Sequence, residues 1–304
     1  MDKAATPTVH SANRTALVTG GTFGIGRATA LELARQGLAV VIAGRDAARA
    51  QAAVADIGRE TGNQNVSYLL ADFFRPAEVR TLADEFSARH DRLDVLINNA
   101  GGTFAERKLT EDGFERTWAL NHLAYMQLTL DLLPLLNASV PARIVNVASG
   151  LYAKKLDFDN LQSERRYSTF GAYLQSKLAN HLFTYTLARR LAGTGVTVNA
   201  VNPGVIDTGL GRDARGLNKV ISWLLTPLKK TPEEGAFPSV HMATSAEVEG
   251  VSGRFFDKDK FVSTAPVTHD EALQERLWQV SLQQLSISDP KIGGTSRATV
   301  SSGR

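Results

Sequence analysis

Tyr173 and Lys177 lie four residues apart in the run Tyr173-Leu174-Gln175-Ser176-Lys177. On a helix, that spacing puts both side chains on one face. A free phenol titrates at about 10, whereas proton transfer at neutral pH works best with a group near about 7. A lysine ammonium beside the phenol favours phenolate, and a cationic ring nearby adds to the effect. A shift of that size takes roughly 3–4 kcal/mol of preferential stabilisation. The pair suits acid/base work on a hydroxyl or carbonyl oxygen. Ser149 closes the apolar run Ile144-Val145-Asn146-Val147-Ala148 and offers a hydroxyl to hold such an oxygen. Asn121, in Thr117-Trp118-Ala119-Leu120-Asn121-His122, is placed to anchor a water that feeds protons to Lys177. Taken singly, each has a plainer reading: a chance Tyr and Lys, a helix-capping Ser, a satisfied buried Asn. His122 reads as structural.

The run Thr15-Ala16-Leu17-Val18-Thr19 ends in Gly20-Gly21-Thr22-Phe23-Gly24-Ile25-Gly26, and a helical pattern follows at once. Strand, glycine turn and helix in that order make a dinucleotide site. The glycines let the backbone approach a pyrophosphate, and the helix N-terminus offers free N–H groups. The second strand ends in Ala43-Gly44-Arg45-Asp46. An NAD site usually carries an acid there for the ribose hydroxyls. Gly44 leaves that place empty, and the Arg45 guanidinium suits a 2′-phosphate by charge and fork geometry. NADP(H) is the expected cofactor, with NAD(H) as second choice. The plainer reading makes Arg45 a surface cation and Asp46 a helix cap. Thr22 adds a hydroxyl donor.

Asp72, at the end of the third strand, is placed to bond the adenine amino group, with Phe73 beside the ring. Asp72 is also a common helix-start residue. Asn98-Asn99-Ala100-Gly101 closes the fourth strand. Its small residues and amides suit a backbone running close to the cofactor, or a turn.

These groups must be carried by something rigid. Short β-branched runs alternate with helical patterns along the chain. Strands are expected at 15–19, 39–43, 66–70, 93–98, 143–148, 196–201 and 253–256. Helices include 25–36, 47–61, 76–89, 111–136 and 173–192. Nearly continuous apolar strands imply burial on both faces, as in a parallel sheet. Strand–helix alternation then gives a Rossmann-type doubly wound α/β fold of about seven strands in a single domain. Residues 1–13 read as a flexible arm, 14–285 as the catalytic domain and 286–304 as a loose tail.

The order TGGTFGIG, NNAG, Asn121, Ser149, Tyr173-x-x-x-Lys177 and Asn202-Pro203-Gly204 resembles the short-chain dehydrogenase/reductase superfamily over about residues 13 to 262. The resemblance implies a catalytic tetrad of Asn121, Ser149, Tyr173 and Lys177. It implies that Lys177 also contacts the nicotinamide ribose, and that Pro203, Gly204 and Val205 border the nicotinamide, with Thr208 among the cofactor contacts. AGRDAARA, DFDNL, YLQSKLAN and GTGVTVNAVNPGVIDT are similar to the retinol dehydrogenase-like and WW-domain oxidoreductase-like group. Members of that group often use NADP(H) on lipophilic alcohols, aldehydes or ketones. Phe23 departs from the pattern, because such proteins usually carry a small polar residue there.

Between Val205 and Thr231 lie Leu210, Leu217, Val220, Ile221, Trp223, Leu224, Leu225 and Leu228. The segment is expected to be a lid over a greasy substrate, packed on the core, or a contact with a membrane or partner. Of the 304 residues, 34 are Lys or Arg and 31 are Asp or Glu, so the net charge is only +3. The cations are scattered among acids, which argues against a nucleic-acid footprint. No cysteine is present, which excludes disulfides, thiol catalysis and Cys-ligated zinc; no metal is expected. The N-terminus has no apolar stretch of a secretion signal, and no apolar run reaches membrane-spanning length. Cytoplasmic localisation is the default expectation. Self-association through helices 111–136 and 173–192 is what the family often does. The rival to the enzyme is a non-catalytic NADP(H)-binding sensor or scaffold on the same fold. That rival would keep the glycine turn and lose the tetrad.

Overall fold

The structure, a computed structural model, describes residues 14–204, 231–290 and 292. Eight strands form one sheet: β1 (Thr15–Thr19), β2 (Ala39–Gly44), β3 (Val66–Leu70), β4 (Val95–Asn98), β5 (Ala142–Val147), β6 (Val196–Asn202), β7 (Arg254–Asp257) and β8 (Lys260–Phe261). The order is β3-β2-β1-β4-β5-β6-β7-β8. All neighbours pair in parallel except β7 and β8, which are antiparallel. β8 is two residues long and was beyond the reach of a seven-strand reading, because its residues Lys260 and Phe261 carry no apolar run.

Each central strand feeds two cores. In β1, Ala16 and Val18 join one apolar cluster and Leu17 the other. In β2, Val40 and Ile42 face one side, Val41 and Ala43 the other. Alternation between two buried faces is why these strands read as unbroken apolar runs. One face is covered by α1 (Gly24–Arg35), α2 (Ala47–Thr61) and α8 (Pro232–Thr244). The opposite face carries α3 (Pro76–Arg89), α5 (Ala124–Asp131), α7 (Thr169–Arg190) and α9 (Glu271–Leu285).

The long helix expected at 111–136 is shorter and broken. Glu115 caps its start, accepting from the N–H groups of Thr117 and Trp118 at 2.8 and 2.9 Å. A single turn, α4 (Arg116–Trp118), leads through a π-helical turn at Ala119–Leu123 into α5. The helix then stops before α6 (Leu133–Ala138), because Pro134 has no N–H to continue the ladder. α7 starts four residues before Tyr173, since the Ser168 hydroxyl accepts from Gly171 N–H at 3.0 Å. The Asp289 carboxylate accepts from Trp278 Nε1 at 2.9 Å and pairs with Arg190 at 3.2 Å. The expected lid, including Leu210, Leu217, Val220, Ile221, Trp223, Leu224, Leu225 and Leu228, lies outside the described residues up to 230. Thr231 itself caps α8 in a reciprocal box with Glu234.

Candidate active site

The strand order reverses between β1 and β4, the point at which a doubly wound sheet forms its ligand crevice at the carboxyl ends of the strands. Thr19 straps the two strand ends together. Its hydroxyl accepts from the N–H groups of Asn99 and Ala100 at 2.9 and 3.0 Å, while Asn99 Nδ2 donates to the Thr19 carbonyl at 2.8 Å. Gly20 follows with φ +65°, and a Cβ there would meet Ala100 Cα at 3.0 Å. Gly26 is tighter: a Cβ would come within 2.2 Å of the Gly20 carbonyl oxygen. The two glycines let α1 start directly against the end of β1.

Phe23 is the N-cap of α1 and gives no side-chain cap, and the first turn holds no acid. Its ring is 52% exposed, while Ile25 is buried under the turn. The first N–H groups of α1, from Gly24 onward, thus face the crevice end without a carboxylate of their own helix, which fits a pyrophosphate. Gly44 leaves room for a neighbour, since a Cβ there would lie 2.9 Å from Thr22 Cγ2. Arg45 is exposed, with its guanidinium 5.7 Å from the Phe74 ring centroid. Asp46 is engaged elsewhere, capping α2 through Arg49 N–H at 3.0 Å.

Asp72 Oδ1 accepts from Phe74 N–H at 3.1 Å, closing a turn. That turn changes the phase of the chain after β3. Phe73, expected beside the adenine, is buried in the core with Val79 and Leu82. The neighbouring Phe74 is only partly buried. It lies 5.7 Å from Phe104, with Arg116 at 4.8 and 4.1 Å from the two rings. Gly101 is exposed beside Asn121, whose Oδ1 lies 3.3 Å from where a Cβ would stand.

The four expected catalytic side chains come from three places: the end of β5, the π-helical turn before α5, and α7. Ser149 lies just past the end of β5, and its hydroxyl acts on the Tyr173 phenol, lowering that group against the effect of burial. Ser149 Oγ also accepts from Leu151 N–H at 3.0 Å. Lys177 Nζ lies 5.7 Å from the Tyr173 ring centroid. Asn121, in the π-helical turn, exchanges hydrogen bonds with the Gly102 backbone at 2.8 and 3.0 Å. Its Nδ2 also donates to Ser176 Oγ at 3.0 Å, and Ser176 donates to the Tyr173 carbonyl at 2.8 Å. Ser176, Thr19 and Gly102 escaped sequence reasoning. The signal for Ser176 was weak: a poor helix former held between Tyr173 and Lys177.

Charge in this site does not behave as the Tyr–Lys spacing suggested. Burial raises the Tyr173 phenol above its ordinary value, opposed by the Ser149 hydroxyl. Burial also pushes Lys177 down to about 7. Its ammonium donates to the Val147 carbonyl at 2.8 Å rather than to the phenol. The chain by itself therefore holds Tyr173 as the protonated phenol. Tyr125, buried nearby, is raised by its own burial and by Tyr173. Pro203 and Gly204 follow β6, where Gly204 has φ +83° and donates to Asn202 Oδ1 at 3.2 Å. Asn202 also accepts from Gly150 N–H at 3.2 Å, joining the ends of β5 and β6. Val205 and Thr208 lie outside the described residues.

A family model described as short chain dehydrogenase matches residues 14–217. The chain is 43% identical over 288 residues to retinol dehydrogenase 14 of Homo sapiens, covering 88% of this chain and 85% of that one. It is 41% identical over 288 residues to polyprenol dehydrogenase of Homo sapiens, covering 91% and 86%. A crystallised, uncharacterized protein from Mycobacterium Paratuberculosis superposes with a TM-score of 0.74 at 32% identity, over 91% of this chain and 95% of that one. The Pseudomonas aeruginosa RhlG/NADP active-site complex superposes with a TM-score of 0.65 at 28% identity, over 81% and 94%. No helix of the described residues is long and apolar enough to cross a membrane.

Proposed function

The chain belongs to the short-chain dehydrogenase family, retinol dehydrogenase-like group, as an oxidoreductase acting on CH–OH and C=O groups; on that premise we propose a reversible hydride transfer between NADP(H) and a lipophilic alcohol, aldehyde or ketone, with Tyr173 as acid/base. The observation that carries the reading is the Lys177 ammonium 5.7 Å from the Tyr173 ring centroid, one helical turn away on α7, with the Ser149 hydroxyl acting on the same phenol.

The nicotinamide, when bound, supplies the hydride donor or acceptor. The Gly20–Gly26 turn (Gly20, Thr22, Phe23, Gly24, Ile25, Gly26) would hold the pyrophosphate, and Arg45 the 2′-phosphate. Asp72 would bond the adenine amino group. Asn99, Ala100 and Gly101 would line the cofactor's path, with Lys177 at the nicotinamide ribose and Pro203 and Gly204 at the ring. Ser149 orients the substrate oxygen, and Tyr173 gives that oxygen its proton in reduction. Burial favours the phenol form that donates. In oxidation Tyr173 takes the carbinol proton as phenolate, its own proton having first passed to the neutral form of Lys177, which burial makes accessible at about pH 7.

A greasy substrate is supported by Leu151 and Phe170, 56% and 59% exposed, two residues beyond Ser149 and three before Tyr173. It is also supported by the relatives named for retinol and polyprenol. NADP(H) over NAD(H) rests on Arg45 and on the space beside Gly44 that Thr22 fills. The test is NADPH oxidation, followed by loss of its absorbance, against a panel of lipophilic aldehydes and ketones. Tyr173→Phe is expected to lose on the order of 10²–10⁴-fold in kcat, with NADPH affinity kept. Turnover that survives the substitution removes Tyr173 from the chemistry.

A further inference from the structure

Tyr173, Lys177 and His181 follow one another at four-residue intervals on α7, so they share one face. The first two belong to the proton-transfer machinery; the third has no part in it. His181 is fully buried between Leu178 and Leu182, both also fully buried. Its ring packs 4.6 Å from Tyr152 and edge-on to Phe255 at 4.7 Å. An aliphatic side chain would fill this place without a polar group to desolvate. His181 Nε2 instead lies 3.0 Å from the backbone carbonyl of Ser149. Nδ1 has no hydrogen-bond partner, so the ring proton sits on Nε2 and donates to that carbonyl. Burial, with Lys177 and His269 both opposing a second charge, drives the imidazole down to about 4. The ring is a neutral donor across the physiological range.

The carbonyl it holds is a sensitive one. The ladder between β5 and β6 ends with Ala148 N–H donating to the Val201 carbonyl at 2.9 Å. Ser149 is the first residue beyond it, so sheet pairing does not set its orientation. Its hydroxyl must point at Tyr173 and at the substrate oxygen together. The His181 ring cannot drift, because the Tyr152 hydroxyl against it accepts from Ala265 N–H at 2.8 Å.

We propose that His181 is a positioning residue for the catalytic serine: by donating to the Ser149 carbonyl it aims the Ser149 hydroxyl at the Tyr173 phenol. The inference deepens the assignment of Ser149 and Tyr173 made above and rests on it. It needs the imidazole N–H and not merely a buried ring.

Three variants separate the two roles in the full-length chain. His181→Leu fills the space without a donor. His181→Gln carries an amide N–H to about the position of Nε2. His181→Asn is equally polar but its amide stops short of the carbonyl. The first readout needs no substrate: the ultraviolet titration of the Tyr173 phenol, taken in each background as the difference from Tyr173→Phe. Because the Ser149 hydroxyl lowers this phenol, His181→Leu and His181→Asn are expected to raise its titration midpoint. His181→Gln is expected to restore it. In a Ser149→Ala background, His181→Leu is expected to cause no further shift. The second readout is kcat against KM with NADPH and a turned-over carbonyl. Leu and Asn are expected to lose on the order of tenfold to a hundredfold in kcat, with NADPH affinity unchanged and Gln close to wild type. If all three variants fall alike, His181 serves packing only and the proposal is wrong. It is equally overturned if Leu leaves both the titration and kcat where they were. Should Leu fail to fold, Gln against Asn decides alone. A wild type that turns over no carbonyl would sink the redox reading instead, leaving the phenol titration to judge His181.

Discussion

Burial acts on Tyr173 and Lys177 in opposite directions. Desolvation penalises whichever form is charged. It therefore raises the phenol and lowers the ammonium to about 7. The two groups move apart from nearly equal ordinary values of 10.0 and 10.5, so the chain alone favours a neutral phenol beside a lysine that gives up its proton at about 7. Spacing on a helix could establish that they are neighbours, but not that Lys177 would turn to the Val147 carbonyl. Arg45 is the simpler case. Its guanidinium is exposed, and its neighbour Asp46 is taken by the α2 cap. A charge-assisted contact with a 2′-phosphate is worth about 1.5–3 kcal/mol. Arg45→Ala should then lower the preference for NADPH over NADH by about one to two decades, read from titrations of both cofactors. An unchanged ratio would assign the preference to other residues.

At the scale of elements, two glycines make opposite predictions. Gly26 sits where β1 passes into α1, and a Cβ would strike the Gly20 carbonyl at 2.2 Å and Asn99 Nδ2 at 2.5 Å. The backbone must move, so Gly26→Ala should cost about 1–3 kcal/mol in denaturant unfolding and at least tenfold in NADPH affinity. Gly58 lies inside α2, where a Cβ would meet only the Asn63 carbonyl at 3.5 Å. An alanine there relieves the entropy of a helical glycine. Gly58→Ala should stabilise the protein by about 0.5–1 kcal/mol, with cofactor binding unchanged. The same residue type is indispensable in one element and a mild liability in the other, because only the first has a second backbone pressed against it.

At the scale of the whole molecule, the sheet separates two cores, and α9 closes one of them. The seam is partly polar. His122 Nε2 pairs with Ser281 Oγ at 2.8 Å, and Trp118 Nε1 donates to Gln284 at 3.0 Å. His122 is fully buried, and desolvation drives it down to about 3 from an ordinary value of 6.5. The unfolded chain binds this proton below about pH 6.5, while the folded chain refuses it until about pH 3. Stability from this group is complete above pH 6.5 and is lost as the pH falls towards 3. The loss can reach ~1.4 kcal/mol per pH unit. Unfolding measured at pH 7 and pH 4.5 should show His122→Leu losing less on acidification than wild type. Equal losses would place the acid sensitivity elsewhere, with His181 next to examine.

The amino-acid sequence determined what short-range pattern can determine. The runs at 15–19 and 66–70 are strands to the residue, and α2 spans 47–61 as read. Local apolar runs, turn residues and caps carry that information within one element. The glycine turn and the Tyr173–Lys177 pair were legible for the same reason, since each lies within a single strand–turn or helix. Tertiary structure decided the rest. That Phe73 is buried and Phe74 only partly so was set by packing around the turn that Asp72 closes. The partners of Asn121 and Lys177 are backbone groups of distant segments, Gly102 and Val147. His181 looked like one more helical residue until Ser149, thirty-two positions away in the chain, was brought against it. Side-chain period is written in consecutive residues, whereas desolvation and long-range hydrogen bonds exist only after the chain has packed.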